Sequence, residues 1–195
     1  KGPIRRALKK LEKRQRAELF EDLTTVDEEG RHRFIETEEI YRVQGELYEQ
    51  IAALLPNYDV QDIALKYGSG TASIGLERYY IFVRDEQGIA YILEMKEVRM
   101  AIPAYFFPYN ELFWRYYEHQ GARVVGTQKA MHHLEDPHLT YVTMGDKEYY
   151  IRERSPYKRK VKPKHYRQTE EYMETTAIMG QIAAKIHARA DVAYS

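Results

Sequence analysis

Three glycines, two serines and a threonine stand between two strand-forming runs in "KYGSGTASIGLERYYIF", Lys66 to Phe82. A tight hairpin needs only about two turn residues, so the surplus asks for a chemical reason. Gly68, Gly70 and Gly75 free the backbone to take positive φ and to approach another group without a Cβ in the way. Successive amides can then converge on one anion, as phosphate-holding loops do, and Ser69, Thr71 and Ser73 add hydroxyl donors. A flexible turn is the plain alternative, and glycine content alone does not choose between them.

A nearby cation sharpens the reading. In "YILEMKEV" a period of two puts Tyr91, Leu93 and Met95 on one face and Ile92, Glu94, Lys96 and Val98 on the other. Lys96, near the end of a strand adjoining the loop, can project beneath it and meet the phosphates the loop would cover. The competing reading is a surface lysine paired with Glu94 or Glu97.

Other chemistry-bearing residues carry less. His132, His133, Glu135, Asp136 and His138 are ligand types within seven positions. They fall where helix gives way to strand across Pro137 and match no standard ligand spacing, so a solvated helix end is expected and no metal. His187 reads as a packed helix residue, because nothing near it supplies a nucleophile. Lys158, Arg159, Lys160, Lys162 and Lys164, between Tyr157 and Tyr166, form either a soluble linker or a patch that guides an anionic substrate or nucleic acid. The 18 tyrosines invite base stacking, but adjacent tyrosines on a strand face opposite ways, so half of each doublet belongs to the core.

The elements that must position these residues follow from periodicity. Ile4, Leu8, Leu11, Ala17, Phe20 and Leu23 predict a basic amphipathic helix at the N-terminus; "DEEGRHRFIE" predicts a turn and short strand, and "TEEIYRVQGELYEQIAALLP" a second helix. From Asp59 the pattern turns to strands: "DIALKY", "RYYIFVRD" and "IAYILEMKEV" make an antiparallel meander. "NELFWRYYEHQGARVVGTQKAMHHLE" predicts a long helix, broken or kinked at Gly121 or Gly126, followed by strands "HLTYVTM" and "KEYYIRERS" around a "GDK" turn. A basic linker and a final amphipathic helix end the chain. The expected fold is α+β, a five-stranded antiparallel sheet with one helix inserted after the third strand, flanked by N- and C-terminal helices. Residues 1–57 would form the N-terminal helices and turn, 58–155 the sheet lobe, and 156–195 the linker and last helix.

Composition sets outer bounds. Thirty basic and 30 acidic residues cancel, so net charge argues neither for wholesale nucleic-acid binding nor for an acidic partner. Cysteine is absent, which excludes disulfides and thiolate metal sites. No apolar run approaches the roughly 20 residues of a membrane span, and a cytoplasmic location is expected. The start at Lys1 suggests a piece of something longer.

A glycine-rich loop between the first two strands, a lysine on the third, then a helix, two strands and a linker resemble the small lobe of the protein-kinase-like fold. More narrowly, "YGSGTASIGLERYY", "LEMKEV", "GARVVGTQKAM", "YYIRE" and "IAAKIHARAD" resemble the bacterial family called domain of unknown function 2252, itself kinase-like, from about Asp59 to Asp191. The resemblance implies an ATP-dependent phosphotransferase with an unknown acceptor, and ATP and Mg2+ as ligands of the complete protein. Gly68, Ser69, Gly70, Thr71, Ser73 and Gly75 would cover the phosphates and Lys96 would contact them, although Ser73 stands about where a kinase carries its third glycine. The lysine is normally held by a carboxylate from the following helix; Glu111 and Glu118 are the acidic candidates. Gln128 could only hydrogen-bond it, and many relatives carry glutamate where Gly126 stands. Arg152 and Glu153 would lie near the hinge where an adenine sits, and "IAAKIHA" resembles the helix that leads into the catalytic loop.

The departure lies in the catalytic strings. No "HRD", "HGD…N" or "DFG"-like segment follows His187. In the family resembled, a "GD.H..N" segment and an acidic motif come before the glycine loop, in permuted order, and would precede Lys1. The expectation is therefore the nucleotide-holding part of a longer enzyme, partnered by a catalytic lobe in cis or trans, with no catalytic residue and no metal ligand of its own. Two alternatives stay open: a pseudokinase-like module that binds nucleotide without catalysis, and a basic nucleic-acid-binding domain.

Overall fold

The computed structural model describes residues 2–12, 16–68, 74–106, 111, 118–158 and 160–191. Among these are five α-helices, α1 (Pro3–Leu11), α2 (Arg16–Leu23), α3 (Glu46–Ala53), α4 (Gln120–Met131) and α5 (Thr169–Ala190). The strands are β1 (Thr24–Val26), β2 (His32–Phe34), β3 (Ile40–Arg42), β4 (Asp59–Lys66), β5 (Arg78–Arg84), β6 (Ala90–Val98), β7 (Thr140–Met144) and β8 (Lys147–Glu153). β1 and β2 form a hairpin of their own, and the rest form one six-stranded sheet in the order β3-β4-β5-β6-β8-β7. Every neighbouring pair in it is antiparallel.

The central strands are buried on both faces, which is why β5 reads as a nearly unbroken run: Tyr79, Tyr80, Ile81, Phe82 and Val83 are all at most 2 % exposed. One face carries Ile63, Ile81, Leu93, Met95 and Ile151, and Ile51 and Leu55 at α3 cover it. The opposite face carries Ala64, Tyr80, Phe82 and Ile92, against Leu19 of α2, Phe34 of β2 and Ile40. The tyrosine doublet 79–80 therefore splits between the two cores, and neither ring is available for base stacking.

Buried carboxylates join the covering layers to the sheet. Asp62, 1 % exposed, accepts the Phe34 amide at 2.7 Å and the Arg42 Nε at 3.0 Å, and so fastens the β1–β2 hairpin to β4 where a register shift separates Val60 from Asp62. Glu171 accepts both Nη atoms of Arg6, at 2.7 and 3.1 Å, and ties α1 to the start of α5. α4 is seated by its N-terminus: the His119 ring accepts the Ala122 amide, and the Gln120 amide donates to Glu148 at 2.7 Å.

Three expectations change. The single N-terminal helix is two, α1 and α2. The helix expected from Thr37 to Leu55 is β3 followed by α3; Gly45, at φ 65°, is the residue that lets the chain turn between them. Its segment pairs as the edge strand, so the sheet has six strands rather than five. The long helix expected after Pro108 is described over Gln120–Met131, and Gly121 and Gly126 both lie inside it without breaking it; residues 107–110 and 112–117 lie outside the described residues. No helix among the described residues is long and apolar enough to cross a membrane.

Two of the helical glycines, Gly121 and Gly180, differ in kind. A Cβ at Gly121 would stand 2.5 Å from the Tyr149 carbonyl oxygen of β8, whereas one at Gly180 in α5 meets nothing within 4 Å. Gly121→Ala should therefore destabilise by about 1–3 kcal/mol through forced separation of α4 from the sheet. Gly180→Ala should stabilise by about 0.5–1 kcal/mol through helix propensity. Urea unfolding of both variants checks the contrast, and equal effects would contradict the close approach.

Candidate functional site

Antiparallel register decides which side chains meet Lys96. Arg78 of β5 and Tyr150 of β8 flank Lys96, and one pleat along, Tyr80 and Arg152 flank Glu94. Residues directly opposite share a face, so one row of cations and one carboxylate are brought together on the α2-facing side of the sheet. Lys96 Nζ lies 3.2 Å from Glu94 Oε2, and Arg152 Nη2 lies 3.0 Å from the same oxygen. Arg78 Nε and Arg154 Nη1 approach Glu94 Oε1 at 3.7 and 3.9 Å. Tyr80 and Tyr150 supply ring faces: the Arg154 guanidinium sits 4.4 Å from the Tyr80 centroid and Lys96 Nζ 5.9 Å from that of Tyr150.

Four cations thus surround one carboxylate that is 3 % exposed. Burial alone would raise the Glu94 pKa, but Lys96 and Arg152 more than reverse it and hold it below the ordinary value of 4.5. The Lys96 amine is also pushed down, by burial first and by the neighbouring Arg152 and Arg78, with Glu94 opposing. The crowding of cations on Glu94 contributes to both shifts, after burial in the case of Lys96. The Nε atoms of Arg78 and Arg154 are buried and make no hydrogen bond among the described residues.

Beside this cluster opens a cleft of about 680 Å³. Glu94, Arg152 and Arg154 line it together with Lys158 and Lys160, and α2 contributes Leu19, Asp22 and Leu23. Lys96 does not line the cleft itself; it reaches it through the carboxylate of Glu94.

The glycine loop is described only at its ends. Gly68 and Gly75 take φ of 72° and 75°, and a Cβ at Gly68 would also meet the Glu39 carboxylate at 3.0 Å. Ser69, Gly70, Thr71 and Ser73 lie outside the described residues. The return limb is anchored by Glu77, which accepts the hydroxyls of Tyr149 at 2.6 Å and Tyr79 at 2.9 Å and the amine of Lys147, while its amide donates to Glu97. On the helix side, Glu118 is exposed and Gln128 half-buried, and among the described residues neither bonds to Lys96. The lysine's carboxylate partner is Glu94, on its own strand. Glu153 lines the cleft, pairs with Arg16 at 3.1 Å, and donates its amide to Asp136.

Sequence reasoning named Glu94 only as a surface partner and overlooked Arg78 and Arg154. One signal was present: Arg152 and Arg154 alternate at the end of β8 as Glu94 and Lys96 do in β6, so each pair must share a face.

The profile of a family described as "Uncharacterized protein conserved in bacteria (DUF2252)" matches residues 1–195. No curated protein and no solved structure matches the chain.

Glu94→Gln removes the one charge that balances this cluster and should cost about 3–5 kcal/mol at neutral pH, measured by urea unfolding. The sign of the pH effect follows from the depressed folded-state pKa. The carboxylate's contribution is complete above its ordinary value of 4.5 and fades as pH falls through the lowered folded value. The wild type should lose more stability than Glu94→Gln on acidification below about pH 4.5. Equal stability of the two proteins at pH 7 would show the carboxylate to be idle.

Proposed function

The chain belongs to that bacterial family, and we propose that it is the nucleotide-holding portion of an ATP-dependent phosphotransferase built on a protein-kinase-like small lobe. One observation carries this reading: four cations gather on one buried carboxylate, and two of them, Arg152 and Arg154, line an open cleft together with Lys158 and Lys160. Half-buried cations without counter-charge are costly, and a polyanion offsets that cost. The cleft volume lies within the range of small-molecule sites, and its apolar side at Leu19 and Leu23 suits the flat face of a base. The strand carrying Lys96 precedes α4, as the reading requires, and the positive φ values at Gly68 and Gly75 suit a loop that folds back over a ligand.

The residues fit phosphate better than they fit magnesium. Glu94 is saturated by cations, so the carboxylate at the base of the cleft is unsuited to a metal, and Mg2+ would arrive bound to the nucleotide. Acceptor recognition, a catalytic lobe in cis or trans and a cytoplasmic setting belong to the same proposal. A second reading, a module that holds nucleotide without catalysis, is favoured by one feature: Lys96 is held within its own strand and not by a helix-borne carboxylate.

ATP with Mg2+ should raise the melting temperature, by an amount equivalent to about 2.7 kcal/mol at a hundredfold excess over Kd. Lys96→Ala and Arg152→Ala should each abolish the rise. Absence of any ATP response in the wild type, with salt-sensitive binding to single-stranded oligonucleotides, would replace this reading by a nucleic-acid-binding one.

A further inference from the structure

Away from the Glu94 cluster, the loop between α4 and β7 meets the end of β8. Asp136 and His138 come from the loop and Glu153 from the strand, and one ligand-type atom of each lies within 4.8 Å of the other two. We propose that these three residues bind a divalent transition-metal ion of the zinc type.

The histidine is prepared for such a role. Its Nδ1 is bonded to the Tyr58 hydroxyl at 2.7 Å, and its ring packs against Tyr91 with centroids 4.2 Å apart, so its orientation is set by both neighbours. Nε2 is buried and has no hydrogen-bond partner among the described residues. With Nδ1–H donated to Tyr58, Nε2 presents a lone pair, the form in which imidazole binds metals, and an outer hydrogen bond on the second nitrogen is the usual companion of a ligating histidine. Two half-buried carboxylates stand beside this imidazole, an oxygen of each within 4.8 Å of one of its ring nitrogens.

The carboxylates keep capacity for a metal. Asp136 accepts the His138 amide at 2.9 Å and the Glu153 amide at 2.7 Å, one on each oxygen, which leaves a lone pair on each and fixes the plane of the group. Arg16 engages Oε1 of Glu153, leaving Oε2. One imidazole nitrogen and two carboxylate oxygens make a three-ligand set with room for water in a fourth position. Imidazole disfavours magnesium and calcium, and among the remaining common ions zinc outranks manganese and iron(II) at such donors. The site would clamp the α4–β7 loop to the end of β8, next to the cleft, and does not depend on what the cleft binds.

The test uses the full chain stripped of metal and titrated with Zn2+ by calorimetry, with Co2+ as a coloured substitute. One ion per chain is expected, together with a higher melting temperature and a cobalt visible band typical of low coordination number. His138→Gln should weaken zinc binding at least tenfold, and Tyr58→Phe, which touches only the orienting hydroxyl, should weaken it about tenfold. The double variant His132→Gln, His133→Gln should bind as the wild type does. Absence of zinc uptake, or uptake that survives His138→Gln, or uptake lost with His132 and His133, would overturn the site. Should His138→Gln fail to fold, ring-nitrogen NMR of the wild type decides: zinc must move the His138 resonances, and movement confined to His132 and His133 ends the proposal.

Discussion

A single buried carboxylate, Glu94, allows the rest of this site to exist. Arg78, Lys96, Arg152 and Arg154 stand within 3.9 Å of it, closer together than like charges would settle in a half-buried setting. At an effective dielectric constant near 20, two like charges about 5 Å apart repel by about 3 kcal/mol, and four such groups repel several times over. Glu94 offsets part of that, and of the four cations Arg152 and Arg154 line the cleft. The arrangement is register-dependent: a slip of one residue between β5 and β6, or between β6 and β8, would send the facing partners to the opposite face and disperse the cluster.

The same device recurs wherever distant parts of the chain are joined. Asp62 holds the β1–β2 hairpin by a backbone amide, Glu77 gathers Tyr79, Tyr149 and Lys147 where the glycine loop re-enters the sheet, and Glu171 takes the Arg6 fork. In each case an acid accepts several donors from segments remote in sequence, so its lone pairs are filled and its burial is compensated. Apolar packing supplies most of the cohesion through the two sheet faces; these carboxylates select which segment lies over which strand.

What the sequence disclosed and what it concealed divide along the reach of periodicity. β4, β6, β7 and β8 are plain in apolar patterning and turn residues, β5 in its unbroken run of strand formers, and Lys96 can be assigned a face from its own strand. β3 is hidden because Ile40 and Val43 fit a helical spacing that Leu47 and Ile51 continue, so the pattern reads as one helix; the pairing energy of an edge strand overrides that local pattern. Arg78 and Arg154 were hidden for another reason. Their meeting depends on β6 lying between β5 and β8, and strand order is a property of the whole sheet. The Asp136, His138 and Glu153 grouping escaped for the same reason, since two of its members read as a solvated helix end until β8 is laid beside them.

The strand-internal pair of Glu94 and Lys96 has a mechanical consequence. Where a lysine is held by a carboxylate on a neighbouring helix, displacement of that helix releases it. Here both partners belong to the most central part of a sheet whose strands pair on both sides, so motion of α4 leaves the pair intact. The cations that line the cleft then fall into two classes. Arg152 and Arg154 are partly buried and pre-positioned by Glu94 and Tyr80, and salt screens them weakly; Lys158 and Lys160 lie exposed on the segment after β8 and are screened within a Debye length of about 8 Å at physiological salt. On the proposed nucleotide reading, the exposed lysines would accelerate the approach of an anion and the pre-positioned arginines would set how long it stays.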